Sequence, residues 1–237
     1  MRLLTYNIQA AIHSQSYLSY TYQWPRQILP TPTKTRTLHR IAAYIDTFDL
    51  VCLQEIALGG LRNGFKNQIH QLLEHTHFPH SLHQLTRRIS ALSHHGNLIL
   101  SKHPLTPILN TPLPSRIKGR GVLAVQIQHQ QTPLVIANIH LSLGQTDQQR
   151  QLTFICDQLK DHPNVLLIGD FNCTPQSPPL QHLQHLGYRP LGDQSPTFPA
   201  WQPKKRLDHA YIKGNLNAQS HVSEFNHSDH LPLIIEL

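Results

Sequence analysis

The sequence lacks most of the features that mark a secreted, membrane-bound or modular protein. It has three cysteines in 237 residues, an odd number without paired spacing, which gives no disulfide framework. Its apolar runs are short and separated by turn residues, which excludes a membrane-spanning helix. No repeat of fixed period and no Ser/Gly-rich or long charged stretch divides the chain. We therefore expect one domain over residues 1–237.

The first residues, MRLLTYNIQ, also lack the apolar length of a secretory signal. We expect the protein to stay in the cytoplasm, where its cysteines would be free thiols. Acidic residues are scarce, 13 against 20 Lys and Arg, and the net charge is +7. This excess favours anionic partners such as nucleic acid, phospholipid head groups or a phosphorylated small molecule, and charge alone does not choose among them.

Apolar, β-branched runs of strand length alternate with segments of helical period, which predicts an α/β chain. The stretch from Gly96 to Leu141 has no helical period, which favours hairpins and hence mixed sheets, in a two-sheet core with outer helices. Residues 13–36 and 171–204, rich in proline, are predicted to be loops that frame a site. The predicted strands are 2–7, 49–54, 96–101, 121–128, 133–141, 164–170, 206–212 and 231–237, and the predicted helices are 37–48, 65–75 and 146–160.

Acid, amide or imidazole side chains accompany apolar runs at six places. Strand ends hold side chains rigidly at the edge of a sheet. Hydrolysis of a phosphoester needs such a set: hard oxygen ligands for Mg²⁺, a group that activates water, and donors that hold the phosphoryl oxygens. The six segments are TYN at 5–7, LQE at 53–55, NIHL at 138–141, GDFN at 169–172, LDHAYI at 207–212 and SDHLP at 228–232.

Each residue also has a structural interpretation. Asn7 fits a turn, and Glu55, a carboxylate after the apolar run VCLQ, needs either a metal or a basic partner if it is buried. His140 fits a hydrogen-bonded core histidine. Asp170 and Asn172 alternate, so in an extended segment both would face the same side, whereas an Asx turn would explain only one of them.

Taken together and in this order, the six segments resemble the endonuclease/exonuclease/phosphatase superfamily, which includes pancreatic-type deoxyribonucleases, apurinic endonucleases, neutral sphingomyelinases, deadenylases and inositol-polyphosphate phosphatases. The resemblance runs from Thr5 to Pro232. It implies a four-layer αββα sandwich, with two mixed β-sheets packed face to face and helices outside. It also implies metal-dependent phosphoester hydrolysis with Mg²⁺, for which Mn²⁺ can substitute. We expect a monomer acting on a phosphorylated substrate.

The resemblance also implies a metal site. Glu55 matches the family's principal metal ligand, and Asn7 and Asp229 would lie beside the ion. Some family members carry an acid two residues after the first asparagine, where this chain has Gln9. This departure leaves metal affinity, and a second metal position, open.

Proton transfer and phosphate binding follow from the same resemblance. His230 would be the general base, oriented by Asp208, which fixes its tautomer. Asp170 is the competing candidate for that proton transfer. Either Asp170 or Asn172 would orient water while the other holds a phosphoryl oxygen, and His140 would donate to the phosphate or stabilise charge in the transition state.

Three classes of function remain: a phosphodiesterase or phosphatase for lipid or small-molecule phosphates, a nuclease, and a catalytically silent module that binds nucleic acid. Retention of every polar role argues against the third class. No inserted DNA-gripping helix or recognition motif is visible, so we favour the first class and keep the nuclease as the alternative. The histidine-rich segment at 75–83, with its neighbours at 94–95, matches no familiar tetrahedral zinc spacing. Three basic clusters would bind further phosphates or form a solvated face: Arg87 with Arg88, RIKGR at 116–120 and KKR at 204–206. Phe198 and Trp201, near the last cluster, would stack on a base or pack beneath a loop.

Overall fold

A computed structural model describes residues 1–12, 31–90, 92–192 and 195–237, without the side chain of residue 62. These residues contain twelve strands, four α-helices and two short 3₁₀ helices, Gln9–Ala11 and Leu61–Asn63. The helices are α1 (Pro32–Ile45), α2 (Gln68–Leu73), α3 (Gln145–Gln158) and α4 (Pro178–His185). The strands are β1 (Arg2–Asn7), β2 (Leu50–Gly59), β3 (His80–Ile89), β4 (Ser93–Ser101), β5 (Thr106–Pro112), β6 (Gly121–His129), β7 (Thr132–His140), β8 (Val165–Asp170), β9 (Arg189–Pro190), β10 (Asp208–Lys213), β11 (Gln219–Val222) and β12 (Leu233–Glu236).

The strands form two mixed six-stranded sheets. The first has the order β11-β12-β1-β2-β4-β3, and the second has the order β5-β6-β7-β8-β10-β9. Each sheet contains one central parallel pair, β1 with β2 and β7 with β8, and the other pairs are antiparallel. Parallel strands need a crossover connection, and α1 and α3 lie on these two connections. The expected mixed sheets are confirmed.

Three apolar clusters fill the spaces between four layers. Leu3, Leu50 and Cys52 of the first sheet meet Leu123 and Ile136 of the second, and this cluster forms the inner core. On the outer face of the first sheet, α1 and α2 bury their apolar sides against β1, β2 and β4. On the outer face of the second sheet, α3 and α4 pack on β6, β7 and β8. The structure therefore confirms the four-layer αββα sandwich.

A buried polar network crosses the inner core below the site. Gln54 and Asn138 are both fully buried, and the Gln54 amide donates to the Asn138 side-chain oxygen at 2.7 Å. Asn138 in turn donates to the backbone oxygens of Leu53 and Leu98 at 3.0 and 3.1 Å. Buried polar groups must be paired, so these amides fix the position of one sheet against the other.

Two segments predicted to be loops contain helices, for local reasons. Helix α1 begins at Pro32, inside the predicted loop 13–36, because Thr31 caps it by accepting from the Lys34 amide at 3.4 Å and Pro32 has the φ of a first helical turn. Residues 13–30 of that loop lie outside the described residues. Helix α4 lies within the predicted loop 171–204 and begins at Pro178 after Ser177, as α1 begins at Pro32 after Thr31.

Four strands were not predicted, and all four lie at or beside a sheet edge. β3 is rich in His and Arg because one side of it is exposed, and β5 contains two prolines, which edge strands tolerate. β9 and β11 are two and four residues long. None of the helices in the described part of the chain combines the length and the apolar character of a membrane span.

Candidate active site

The candidate site lies where the carboxyl ends of the two parallel strand pairs meet. Asn7 ends β1 and His140 and Asp170 end β7 and β8, where they are paired in register. Asp208 opens β10 and is paired in register with Asp170 on its other side. Open α/β sheets bind ligands outside the carboxyl ends of their strands, which agrees with this grouping.

Glu55 reaches the site through a bulge rather than from a strand end. The sequence predicted that the strand stops at Gln54, but β2 continues to Gly59 with a register shift between Leu53 and Ile56. Glu55 has a φ of +56°, which turns its side chain toward the site. Gly96 lies opposite the bulge, where a Cβ would come within 2.0 Å of the Gln84 carbonyl oxygen, so this close approach requires glycine.

Asn7 connects the two sheets at the floor of the site. Its amide nitrogen donates to Asp170 Oδ2 at 3.1 Å, and its side-chain oxygen accepts from the Gln9 backbone amide at 3.1 Å. Asn7 and Asp170 are both about 2% exposed. The first asparagine is therefore held by partners on either side and positions the Asp170 carboxylate.

His230 and Asp208 form a tight buried pair. His230 Nδ1 lies 2.7 Å from Asp208 Oδ2, and Nε2 lies 3.9 Å from Asp170 Oδ2. Thr197 fixes both partners, because its hydroxyl accepts from the Asp208 amide at 3.2 Å and its carbonyl accepts from the Leu231 amide at 2.8 Å. The other ring nitrogen of His230 thus faces the centre of the site.

Charge and burial oppose each other at this pair. Burial lowers the pKa of His230, but the carboxylates of Asp208 and Asp170 outweigh it and hold that pKa well above its usual value. Burial raises the pKa of Asp170 to about 7, against the charge of His230. Burial thus favours the neutral form of Asp170, and the charge of His230 favours its ionised form.

His140 contacts both carboxylates and a cation. Its Nε2 lies 3.5 Å from Asp170 Oδ2 and 3.8 Å from Glu55 Oε1. The Arg120 guanidinium lies against the imidazole, with Nη1 3.0 Å from Nδ1. Burial and then the charge of Arg120 hold the pKa of His140 well below its usual value, so the ring is neutral at pH 7.

Asn172 is not in an extended segment with Asp170, which corrects the predicted alternation. Strand β8 ends at Asp170, and Asn172 has a φ of +53°. Its backbone amide donates to Asp170 Oδ1 at 2.9 Å, and its side-chain amide donates to the Leu141 carbonyl at 2.9 Å. GDFN therefore contains the Asx-type turn and still places both polar residues at the site.

Asp229 lies buried next to His230 and accepts from the Ser228 hydroxyl at 3.1 Å. Partial removal of Glu55 from water raises its pKa, and the charge of Asp229 raises it further, against the charges of Arg120 and His230. Glu55 and Asp229 therefore repel each other across the site. All eight predicted site residues are brought to one end of the molecule.

A cavity of about 670 Å³ opens beside Glu55 and His140. Arg87 and residues 116–120 line it, whereas Arg88 is not among its lining residues. In the third basic cluster Lys204 and Lys205 are exposed, whereas Arg206 is buried. The Arg206 guanidinium donates a hydrogen bond to the backbone carbonyl of Ser195 at 3.3 Å.

The aromatic neighbours of the third cluster differ in position. The Phe198 ring lies 4.9 Å from the His230 ring, so it packs against the candidate base, and Trp201 is half-buried. Among the described residues, the group of His, Cys, Asp and Glu close enough for a shared metal ion is Asp170, Asp208 and His230, with ligand atoms within 4.8 Å of one another. The histidine-rich segment at 75–83 contributes nothing to it.

Sequence reasoning missed two residues of the site. Arg120 was grouped with a basic cluster, although it directly precedes the strand whose first residue, Gly121, is paired with His140. Thr197 had no signal, because its importance comes from the contacts its hydroxyl and carbonyl make with two distant segments.

The buried His–Asp pair and the further carboxylates at this end of the sandwich are groups that metal-assisted hydrolysis of a phosphoester can use. A model of the endonuclease/exonuclease/phosphatase family matches residues 4–230, and the chain belongs to this family. Its members are generally hydrolases that act on phosphoesters. The resemblance inferred from the six segments is thereby confirmed. No curated relative matches the sequence.

Solved structures share the fold over nearly the whole chain. An endonuclease/exonuclease/phosphatase from Beutenbergia cavernae DSM 12333 matches with a TM-score of 0.75 and 21% identity, covering 99% of this chain and 70% of that one. An endonuclease/exonuclease/phosphatase family protein from Leptotrichia buccalis has a TM-score of 0.73 and 15% identity, with 100% and 99% covered. A mutant of beta toxin from Staphylococcus aureus with bound magnesium ions has a TM-score of 0.72 and 16% identity, with 99% and 98% covered.

Proposed function

We propose that the protein is a Mg²⁺-dependent phosphodiesterase or phosphatase in which His230 is the general base. The observation that carries this proposal is the buried pair of His230 and Asp208, with a separation of 2.7 Å. The free ring nitrogen of this pair faces Asp170, between the two parallel strand pairs. Such a pair accepts a proton from water in a fixed direction.

Glu55, Asn7 and Asp229 would hold the metal. Carboxylate and amide oxygens are the donors that Mg²⁺ prefers, and a divalent cation would relieve the repulsion between Glu55 and Asp229. A magnesium ion supplies charge neutralisation at the phosphoryl oxygens. We prefer this set to the group of Asp170, Asp208 and His230, because the last two already bond to each other.

The proton transfer is assigned to His230, with Asp208 as its positioning residue. The carboxylate holds Nδ1, which leaves Nε2 to take the proton of the attacking water when the ring is neutral, and the positive charge of a bound metal ion would favour that neutral form by lowering the raised pKa of His230. Asp170 is the competing base, since its pKa of about 7 would also let it accept a proton. In our assignment Asp170 instead orients that water, and Asn7 holds its carboxylate in place.

Phosphate binding is assigned to His140 and Asn172. A neutral, buried His140 can donate a hydrogen bond to a phosphoryl oxygen, and the neighbouring Arg120 adds positive charge where negative charge develops. Asn172 lies beside Asp170 Oδ1, whereas His140 lies beside Asp170 Oδ2.

A nuclease is the second candidate, because the cavity beside this end of the site is lined by several basic residues. A monomeric state and a cytoplasmic location remain predictions from the sequence.

The decisive experiment is Glu55→Gln, with bis-p-nitrophenyl phosphate as substrate and Mg²⁺ or Mn²⁺ added to a metal-free preparation. We expect metal-dependent turnover to fall by about two orders of magnitude or more, since the amide removes the negative charge that the metal needs. Glu74→Gln, at an exposed position after α2, is the matched control. Unchanged metal-dependent hydrolysis in Glu55→Gln would falsify the assignment.

A panel of plasmid DNA, abasic DNA, RNA, sphingomyelin, other phospholipids and inositol phosphates then identifies the substrate. We expect a lipid or small-molecule phosphoester to be hydrolysed fastest. A ranking led by DNA or RNA would select the nuclease instead.

A further inference from the structure

The cavity beside Glu55 is larger than the proposed chemistry needs. Its volume of about 670 Å³ is in the range of pockets that hold whole small molecules, and a single phosphoryl group occupies a small part of it. Glu55 and Asp147 are the acidic side chains among its described lining residues. The basic side chains that line it are Lys34, Arg87, Arg116, Lys118 and Arg120. We call Arg87, Arg116, Lys118 and Arg120 the basic wall.

The loop that carries most of the basic wall is fixed to the second sheet and its helix. The Arg116 amide donates to Asp147 Oδ2 at 3.0 Å, and the Gln151 side chain donates to the Pro114 carbonyl at 3.1 Å. Asp147 and Gln151 both belong to α3. The basic side chains therefore start from a positioned backbone rather than from a freely solvated loop.

Arg87 reaches the same wall from β3, in the first sheet. A Cβ at Gly119 would lie 3.1 Å from the Cγ and Cδ atoms of Arg87, so the aliphatic part of this arginine packs directly against the Gly119 backbone. Gly119 also has a φ of +119°, which other residues rarely adopt. Glycine at this position thus lets two separate elements bring Arg87 next to Lys118.

The basic wall begins at the candidate site. Arg120 lies against His140, and both residues line the cavity together with Glu55. A group bound along the wall would therefore be a neighbour of the phosphate undergoing hydrolysis. Arginine guanidinium groups bind the oxygens of phosphate and of carboxylate in pairs, and the neighbouring candidate phosphoester site makes phosphate the expected anion here.

We propose that the basic wall is a second phosphate subsite, and that the preferred substrates carry at least one phosphate besides the scissile one. The proposal rests on the proposed function for the position of the scissile phosphate. Arg87, Arg116 and Lys118 contribute binding and not proton transfer, because their side chains offer several hydrogen-bond donors and no acceptor. Loss of Arg87 and Lys118, the two members that the experiment removes, should therefore raise KM for a substrate with two phosphates and leave kcat unchanged.

The kinetic test uses a matched pair of substrates, thymidine 5′-(p-nitrophenyl phosphate) with and without a 3′-phosphate. The double variant Arg87→Ala/Lys118→Ala should raise KM about tenfold or more for the 3′-phosphorylated ester, as expected from the loss of charge-assisted hydrogen bonds. KM for the unphosphorylated ester should hardly change. Arg88→Ala is the matched control, since Arg88 is exposed on the same strand and does not line the cavity.

A binding test without turnover separates this proposal from the proposed function. Inorganic tripolyphosphate is titrated calorimetrically into the protein in EDTA, for wild type, the double variant and Arg88→Ala. We expect the double variant to bind about tenfold or more weakly and the control to bind like wild type. Equal affinity of wild type and double variant, together with an unchanged KM for the 3′-phosphorylated ester, would refute the subsite even in an active hydrolase.

The source of the second phosphate is decided by a third titration, with a single-stranded 12-mer oligonucleotide. Weakened oligonucleotide binding in the double variant supports the subsite with a nucleic acid backbone as its ligand. If the double variant weakens the binding of tripolyphosphate but not of the oligonucleotide, the subsite is supported and its ligand is a compact, multiply phosphorylated small molecule. Wall-independent binding of both ligands contradicts it.

Discussion

The two halves of the candidate site differ in how their charges are held. Around His230, each charged group has a close partner and is buried, and Thr197 fixes two segments of backbone. Around Glu55, the carboxylate side chain is 35% exposed and faces a cavity with an excess of basic side chains. The first half suits proton transfer in a fixed direction, and the second half suits the binding of ions and substrate.

Substitution of His230 should have the largest effect on turnover, because it removes the proposed base from the buried half of the site. We expect His230→Ala to lower kcat by about two to four orders of magnitude with folding intact, as the loss of a general base does. Turnover of bis-p-nitrophenyl phosphate and circular dichroism are the measurements, and His185→Ala, at an exposed position on α4, is the control. Wild-type turnover in His230→Ala would move the base to Asp170.

Asp208→Asn tests whether the buried half acts through its charge. We expect kcat to fall by about 10- to 100-fold, the usual effect of losing an orienting partner. The pKa of His230 should also fall, because the Asp208 carboxylate raises it, so the ring becomes neutral at a lower pH than in wild type. Histidine NMR titration of the metal-free protein measures this, with His230→Gln to assign the signal. An unchanged pKa would mean that Asp208 does not set the charge of His230.

The third prediction concerns the network that aligns the two halves. Asn138→Ala should lower the free energy of unfolding by about 2 kcal/mol, because it leaves the buried Gln54 amide without its partner in the other sheet. Chemical denaturation measures this, and Asn217→Ala, on an exposed loop, should change it by less than about 0.5 kcal/mol. Equal stability of the two variants would show that the cross-sheet bond contributes little.

The smallest effect is expected from Thr197→Val, which removes one hydroxyl acceptor and preserves shape. The Asp208 backbone amide loses its partner, and we expect about 1 kcal/mol of destabilisation with a several-fold lower kcat. Denaturation and steady-state kinetics measure the two changes. A normal kcat in this variant would show that Asp208 keeps its position without the threonine.

The central strands and the site residues were predictable because their sequence signals are local. β1, β2 and β8 are buried on both faces and read as continuous apolar runs, and each ends or bends at a polar residue. Edge strands such as β3 and β5 carry polar side chains and proline, which remove that signal. Single-domain organisation stays a prediction.

The roles of Gln54 and Asn138 show what the sequence could not provide. Both residues lie inside segments that pointed to catalysis, yet their side chains bond across the sheet interface. Their role depends on contacts between residues 84 positions apart, and no local pattern encodes such a pairing. The bulge at Glu55 was missed for the same reason, since it is a shift in the pairing of β2 with β4, between Leu53 and Ile56.

The pairing of β12 with β1 has a consequence for synthesis on the ribosome. A nascent chain that has emerged through β10 already contains Glu55, Asp170 and Asp208, yet β1 still has one unpaired edge. The proposed base, His230, lies three residues before β12, the strand that pairs with this edge of β1. A chain that has emerged only through β10 should therefore have no hydrolytic activity, because the partner of β1 and the proposed base are still missing.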